Sequence, residues 1–115
     1  MSQLPGAANA TIADDKITQY LLNPTHRDGS GKAKFFTLFG FSLTNPDELK
    51  NALLQHPLRN LVTDRRVRPH GITYEVGCSL ITPDGRNPCI ISVWIIGPID
   101  PDPRFVTAYP NPPQK

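Results

Sequence analysis

The strongest constraint on this chain is a switch in hydrophobic period. Ile72, Tyr74, Val76, Cys78 and Leu80 alternate with Thr73, Glu75, Gly77 and Ser79, the two-residue repeat of a half-buried strand. Pro83-Asp84-Gly85-Arg86 is a strong turn signal, and the apolar run 89–96 returns as a second strand, so the pair predicts a β-hairpin. A turn centred between Asp84 and Gly85 pairs Val76 with Val93, Tyr74 with Ile95 and Glu75 with Trp94. In that register Ile91, Val93 and Ile95 join the alternating apolar residues on a core face. Thr73, Glu75, Ser79, Ser92 and Trp94 take the polar face. Cys78 and Cys89 become diagonal neighbours with sulfurs roughly 7–8 Å apart, which predicts free core thiols rather than a disulfide. A third strand is expected at 104–109, after the proline-punctuated stretch 97–103.

Upstream of residue 60 the period is helical. Asp14 and Asp15 precede Ile17, Tyr20 and Leu21, an i, i+3, i+4 stripe with acids near the helix start, which predicts a helix at about 13–22 stopped by Asn23-Pro24. Phe35, Leu38 and Phe39 make the stripe of a second helix from Lys32 to Gly40. Asn45, Pro46 and Glu48 form an N-terminal cap signature for a third, which His56-Pro57 is expected to close. The reading is an α+β domain with two or three N-terminal helices packed on one face of an antiparallel sheet of three to four strands. Residues 1–11 read as a flexible leader, 12–110 as a single domain and 111–115 as a Pro-rich tail.

With 115 residues, 38% of them hydrophobic and 19% charged, the chain suits one modest core rather than two, and it is neither collagen-like nor wholly disordered. Its longest apolar run is far short of the roughly 18 residues a membrane-spanning helix needs, and no signal-like leader is visible, so the compartment expected is cytoplasmic. The net charge of +2 is mild, but its distribution is uneven. His56, Arg59, Arg65, Arg66, Arg68 and His70 fall in one stretch whose sole acid is Asp64. Two readings of Arg65-Arg66-Val67-Arg68 stand, a solvated loop or the electrostatic footprint of RNA or of an acidic partner.

The chemistry-bearing candidates are few. Cysteine and histidine spacings fit no zinc site, and there is no P-loop, dinucleotide-binding glycine pattern or nucleophile elbow, so neither metal nor cofactor is expected. Residues 22–36 join His26, Lys32 and Lys34 to a glycine-bearing turn at a helix start. Such a segment suits a phosphate with His26 moving a proton, and equally suits an ordinary loop and cap. Arg104, Thr107 and Tyr109 on the last strand are the second group. They share the open face with Trp94 and Phe105 if Val106 and Ala108 point inward, while the opposite parity buries Phe105 and Tyr109. Glu75 is either a general base or, preferably, a solvated strand carboxylate.

The strings Ile12-Ala13-Asp14-Asp15-Lys16, Leu21 through Phe36, Val93-Trp94-Ile95-Ile96 and Pro103 through Pro110 resemble an uncharacterised bacterial family of small domains. That family also occurs at the ends of large secreted polymorphic toxins. A more distant similarity, in element order and loose motifs, is to the barnase, EndoU, colicin and RelE-like superfamily of metal-independent ribonuclease toxins. That resemblance implies a catalytic set of His26, Lys32, Arg104 and Thr107. Lys34, Trp94, Tyr109, Arg66 and Arg68 are then expected to bind RNA, and a cognate antitoxin or immunity protein is expected as partner. Glu75 matches no motif of the superfamily. The alternative is a non-enzymatic antitoxin, immunity or other protein-binding module, and a third class is RNA binding without turnover.

Overall fold

The computed structural model describes residues 2–27 and 30–111. A 3-10 turn at Ala7–Asn9 leads to α1 (Asp14–Lys16), which runs directly into one π-helical stretch at Ile17–Leu21. Then come α2 (Ser30–Leu38), α3 (Pro46–Arg59) and four strands, β1 (Leu61–Arg68), β2 (Gly71–Ser79), β3 (Cys89–Ile96) and β4 (Arg104–Pro110). The strands form one antiparallel meander in the order β1-β2-β3-β4.

The class is α+β, but the expected group of two or three N-terminal helices needs correction. Helical segments recur among the described residues from Ala7 to Arg59, and α3, the longest, lies mid-chain. Its length is a second correction. The helix passes through Pro57 because residues at its end are anchored from outside. His56 and Pro57 are buried, and Asn60 Nδ2 donates to the carbonyls of His56 (2.9 Å) and Ser79 (3.0 Å). These contacts hold the end of the helix against the sheet, although Pro57 cannot donate the backbone bond to the Leu53 carbonyl. The arginine-rich stretch is the edge strand β1, not a loop. Residues 2–11 are tied down where a loose leader was expected. Leu4 is buried, Gln3 Nε2 donates to the Leu58 carbonyl at 3.0 Å, and Thr11 pairs in parallel with Arg104. Of the expected tail, residues 112–115 lie outside the described residues.

The hairpin forms with its register displaced by one residue. Tyr74 opposes Trp94, Val76 opposes Ser92 and Cys78 opposes Ile90. A tight two-residue turn does not form, because the connection is a loop docked onto the end of α2. Arg86 donates to the Leu38 carbonyl at 2.8 Å with its guanidinium 4.4 Å from the centre of the Phe39 ring. Asp84 N–H donates to the Phe39 carbonyl at 3.3 Å. Asn87, at positive φ, accepts the Thr82 N–H at 2.9 Å. The loop therefore centres on Asp84, and a one-residue slip exchanges the faces of the returning strand. Ile90, Ser92 and Trp94 point into the core, Val93 and Ile95 do not.

Trp94, expected on the polar face, is fully buried against Phe105, their ring centroids 5.4 Å apart. Its indole N–H donates to Ser92 Oγ at 2.8 Å, and Ser92 Oγ lies 2.8 Å from His56 Nδ1. His56 Nε2 lies 2.7 Å from the Cys78 carbonyl oxygen. A carbonyl only accepts, so Nε2 carries the proton and neutral Nδ1 accepts from the Ser92 hydroxyl, giving one directed chain, Trp94 to Ser92 to His56 to Cys78. Burial pushes the His56 imidazole below its ordinary range, with the Cys78 carbonyl a smaller opposing influence. The shifted register also brings Cys78 and Cys89 to a Cα separation of 4.1 Å, where they form a disulfide instead of the expected free thiols.

Two stability predictions follow from these contacts. Because the folded state holds His56 neutral, the unfolded chain binds the extra proton below about pH 6.5. The stability this contributes is complete above that value and declines as pH falls below it. Urea midpoints should drop between pH 7.5 and 5.5 in the native chain and drop less in His56→Gln; equal slopes would refute the assignment. Replacing both Cys78 and Cys89 by serine should cost about 3 kcal/mol for so short a closed loop. Thermal melts with and without reductant measure this, and reductant should affect only the native chain.

Candidate functional site

A cleft of about 530 Å³ opens where the first helical segment meets β4, lined by Asp15, Lys16, Gln19, Tyr20, His26, Val106 and Thr107. Local sequence places each side of it. The π-helical stretch ends at buried Leu21, Leu22 is buried just beyond it, and Asn23-Pro24 prevents its continuation. Asn23 Oδ1 then accepts the Thr25 N–H (3.0 Å) and hydroxyl (2.9 Å), and His26 N–H donates to the Asn23 carbonyl at 3.2 Å. This Asx turn sets the His26 ring against Tyr20, edge to face at 5.0 Å.

The far wall depends on a β-bulge. Thr107 opposes Val93 while Phe105 opposes Trp94, leaving Val106 as the extra residue. The bulge changes the parity of β4, so Phe105 and Ala108 both enter the core while Thr107 and Tyr109 take the other face, an arrangement neither strict alternation allowed. Lys16 Nζ donates to the Val106 carbonyl at 3.1 Å, and the Tyr20 and Thr107 hydroxyls are 3.0 Å apart. The ammonium groups of Lys16 and Lys32 lie 5.6 and 5.5 Å from the Tyr20 ring centre.

The residues singled out from sequence divide accordingly. His26 and Thr107 share the cleft, and Lys32 reaches it through the Tyr20 ring. Arg104 is exposed at the start of β4, paired in the ladder with Ile95, and is not among the residues lining the cleft. Trp94 offers no stacking platform, since its ring is enclosed in the core. Lys34 lines a separate, largely apolar pocket with Leu22, Ala33 and Phe41. Arg66 is engaged with Asp64, Nε to Oδ2 at 3.0 Å, and this bond holds the Asp64 carboxyl below its usual range. Arg68 is exposed near the end of β1, paired with Gly71.

Tyr109 lies half-buried on the face shared with Thr107, and its hydroxyl donates to Glu75 Oε1 at 3.4 Å. Glu75 is therefore half-buried and partnered rather than solvated. Burial first, and the Glu75 charge second, push the Tyr109 phenol above its ordinary range. Two cleft residues escaped the sequence reading. Tyr20 entered only as part of the helix stripe and Lys16 only within the family-resembling string 12–16, and a π-helical turn displaces side chains from the 3.6-residue pattern.

A small α+β domain with a basic, hydroxyl-bearing cleft between its first helical segment and its last strand is what the fold and geometry define. The chain belongs to the family described as a domain of unknown function, DUF6883, whose profile matches residues 3–112. No curated protein matches it. Among solved structures it is similar to a chain of a "Contact-dependent growth inhibition toxin - immunity protein complex from Klebsiella pneumoniae 342", with a TM-score of 0.72 and 17% identity. The superposition covers 96% of this chain and 100% of that one, and at this identity it shows a shared fold alone.

Because the Glu75 charge adds to burial in raising the Tyr109 phenol, Glu75→Gln should lower its titration midpoint while burial keeps it above the ordinary range. Phenolate absorbance, assigned with Tyr109→Phe, measures it; an unchanged midpoint would refute the Glu75 contribution.

Proposed function

We propose that this protein is a component of a bacterial toxin–immunity system, and within it a metal-independent ribonuclease. The observation that carries the reading is the cleft that gathers the His26 imidazole, the Thr107 hydroxyl and two ammonium groups around Tyr20. The shared fold with a chain from a toxin–immunity complex supports the system, and the more distant similarity to metal-independent ribonuclease toxins, in element order and loose motifs, supports the chemistry.

In metal-free RNA cleavage a base removes the 2′-hydroxyl proton and that oxygen attacks phosphorus. The bond to the 5′-oxygen breaks, leaving a 2′,3′-cyclic phosphate, and an acid protonates the departing oxygen. His26 holds one of these proton-transfer roles. Lys32 and Lys16 stabilise the charge that builds on the phosphorane, and Thr107 donates a hydrogen bond to a phosphate oxygen. Lys16 takes the place first given to Arg104. Tyr109, Arg66 and Arg68 contact RNA beyond the scissile phosphate. The disulfide suits a protein that passes through an oxidising compartment.

Incubation of the pure protein with total RNA in EDTA tests this. Cleavage should persist, and His26→Ala and Lys32→Ala should each reduce it by at least about 100-fold while the circular dichroism spectrum stays native. No cleavage by the native chain, together with harmless expression and tight binding to a toxin, would overturn the ribonuclease in favour of the immunity role.

A further inference from the structure

We propose that Tyr20 is the positioning residue of the cleft, its ring holding the cations and His26 in place and its hydroxyl orienting that of Thr107. The inference rests on the ribonuclease reading for its kinetic consequences, but its geometric basis is independent of it.

Four other parts of the chain converge on Tyr20. Its own π-helical stretch carries it, Lys16 comes from α1, Lys32 from α2, His26 from the Asx turn and Thr107 from β4. Both ammonium groups fall within the roughly 6 Å over which a cation is attracted to an aromatic face. Two like charges on one small surface repel, and Asp15 is the one acid among the described residues lining the cleft. The negative face of the ring therefore offsets part of the repulsion and keeps both cations near the cleft without neutralising them. Carboxylates in the same place would pair with the lysines and compete with an incoming phosphate.

The hydroxyl has a separate task. The Thr107 side chain has one donor hydrogen, and the 3.0 Å contact with Tyr20 constrains where that hydrogen points. If Tyr20 donates to Thr107 Oγ1, the threonine hydrogen is released toward the cleft, where a phosphate oxygen can accept it. The ring and the hydroxyl are thus separable by substitution, since phenylalanine keeps the first and loses the second.

The experiment uses the full chain with a fluorogenic oligoribonucleotide for kcat and KM, and inorganic phosphate titrated against the NMR spectrum for binding. Tyr20→Phe should keep KM and phosphate affinity within about twofold while kcat falls on the order of tenfold, the scale of one misdirected hydrogen bond. Tyr20→Leu should weaken phosphate binding about tenfold as well, and should abolish the ring-current displacement of the His26 resonances. Thr107→Val should lower kcat as Tyr20→Phe does, and the double variant should be no worse than either single one. This cycle decides the question if Tyr20→Leu fails to fold. Additive losses, native kinetics in Tyr20→Phe, or no phosphate-dependent shifts in the native chain would each overturn the proposal. If the native chain cleaves no RNA but binds phosphate in a Tyr20-dependent way, the ribonuclease reading falls and the positioning role stands.

Discussion

The pairing register of β2 with β3 is the constraint on which the rest of the molecule depends. With the loop centred on Asp84, Trp94 and Ser92 face the helices, and Ser92 meets the imidazole of His56. That contact makes α3 run on through Pro57, because the end of the helix is held from the sheet as well as from within. The same register brings the cysteines together and aligns the Cys78 carbonyl with His56 Nε2. A slip by one residue would put a tryptophan and a serine outside, leave a buried histidine without partners and separate the cysteines. Buried polar groups are costly unless each is satisfied, so this network selects one register strongly.

Against that rigid centre, the cleft is assembled from two irregularities. The π-helical stretch turns Tyr20 toward β4, and the bulge at Val106 offers Lys16 a carbonyl while turning Thr107 outward. Regular elements would have directed these side chains elsewhere. Both devices recur near functional sites in proteins generally, because each re-aims a side chain at a small local cost in backbone regularity. Here they face one another across a single cleft.

Much of the element map was legible. Alternation marked β2, the apolar run marked β3, capping residues marked the start of α3, and Asn23-Pro24 marked the end of the first helical segment. His26 and Thr107 were visible as residue types near the right boundaries. Tyr20 and Lys16 were not, since a helical stripe says only that an aromatic is half-buried. Arg104 and Trp94 were misplaced for opposite reasons. One precedes the bulge that redirects β4 and stands outside the cleft lining, and the other lies on a strand whose face depends on a single residue of loop length.

Sequence alone determined the periods, the turns and the order of elements, because these depend on neighbours within a few residues. Only the tertiary structure decided which face of β3 is inside, whether the cysteines meet, how far α3 extends and which cations share the Tyr20 ring. Each of those depends on groups far apart in the chain, and the free energy that settles them, a docked loop and a satisfied buried network, arises only when the helices and the sheet are packed together.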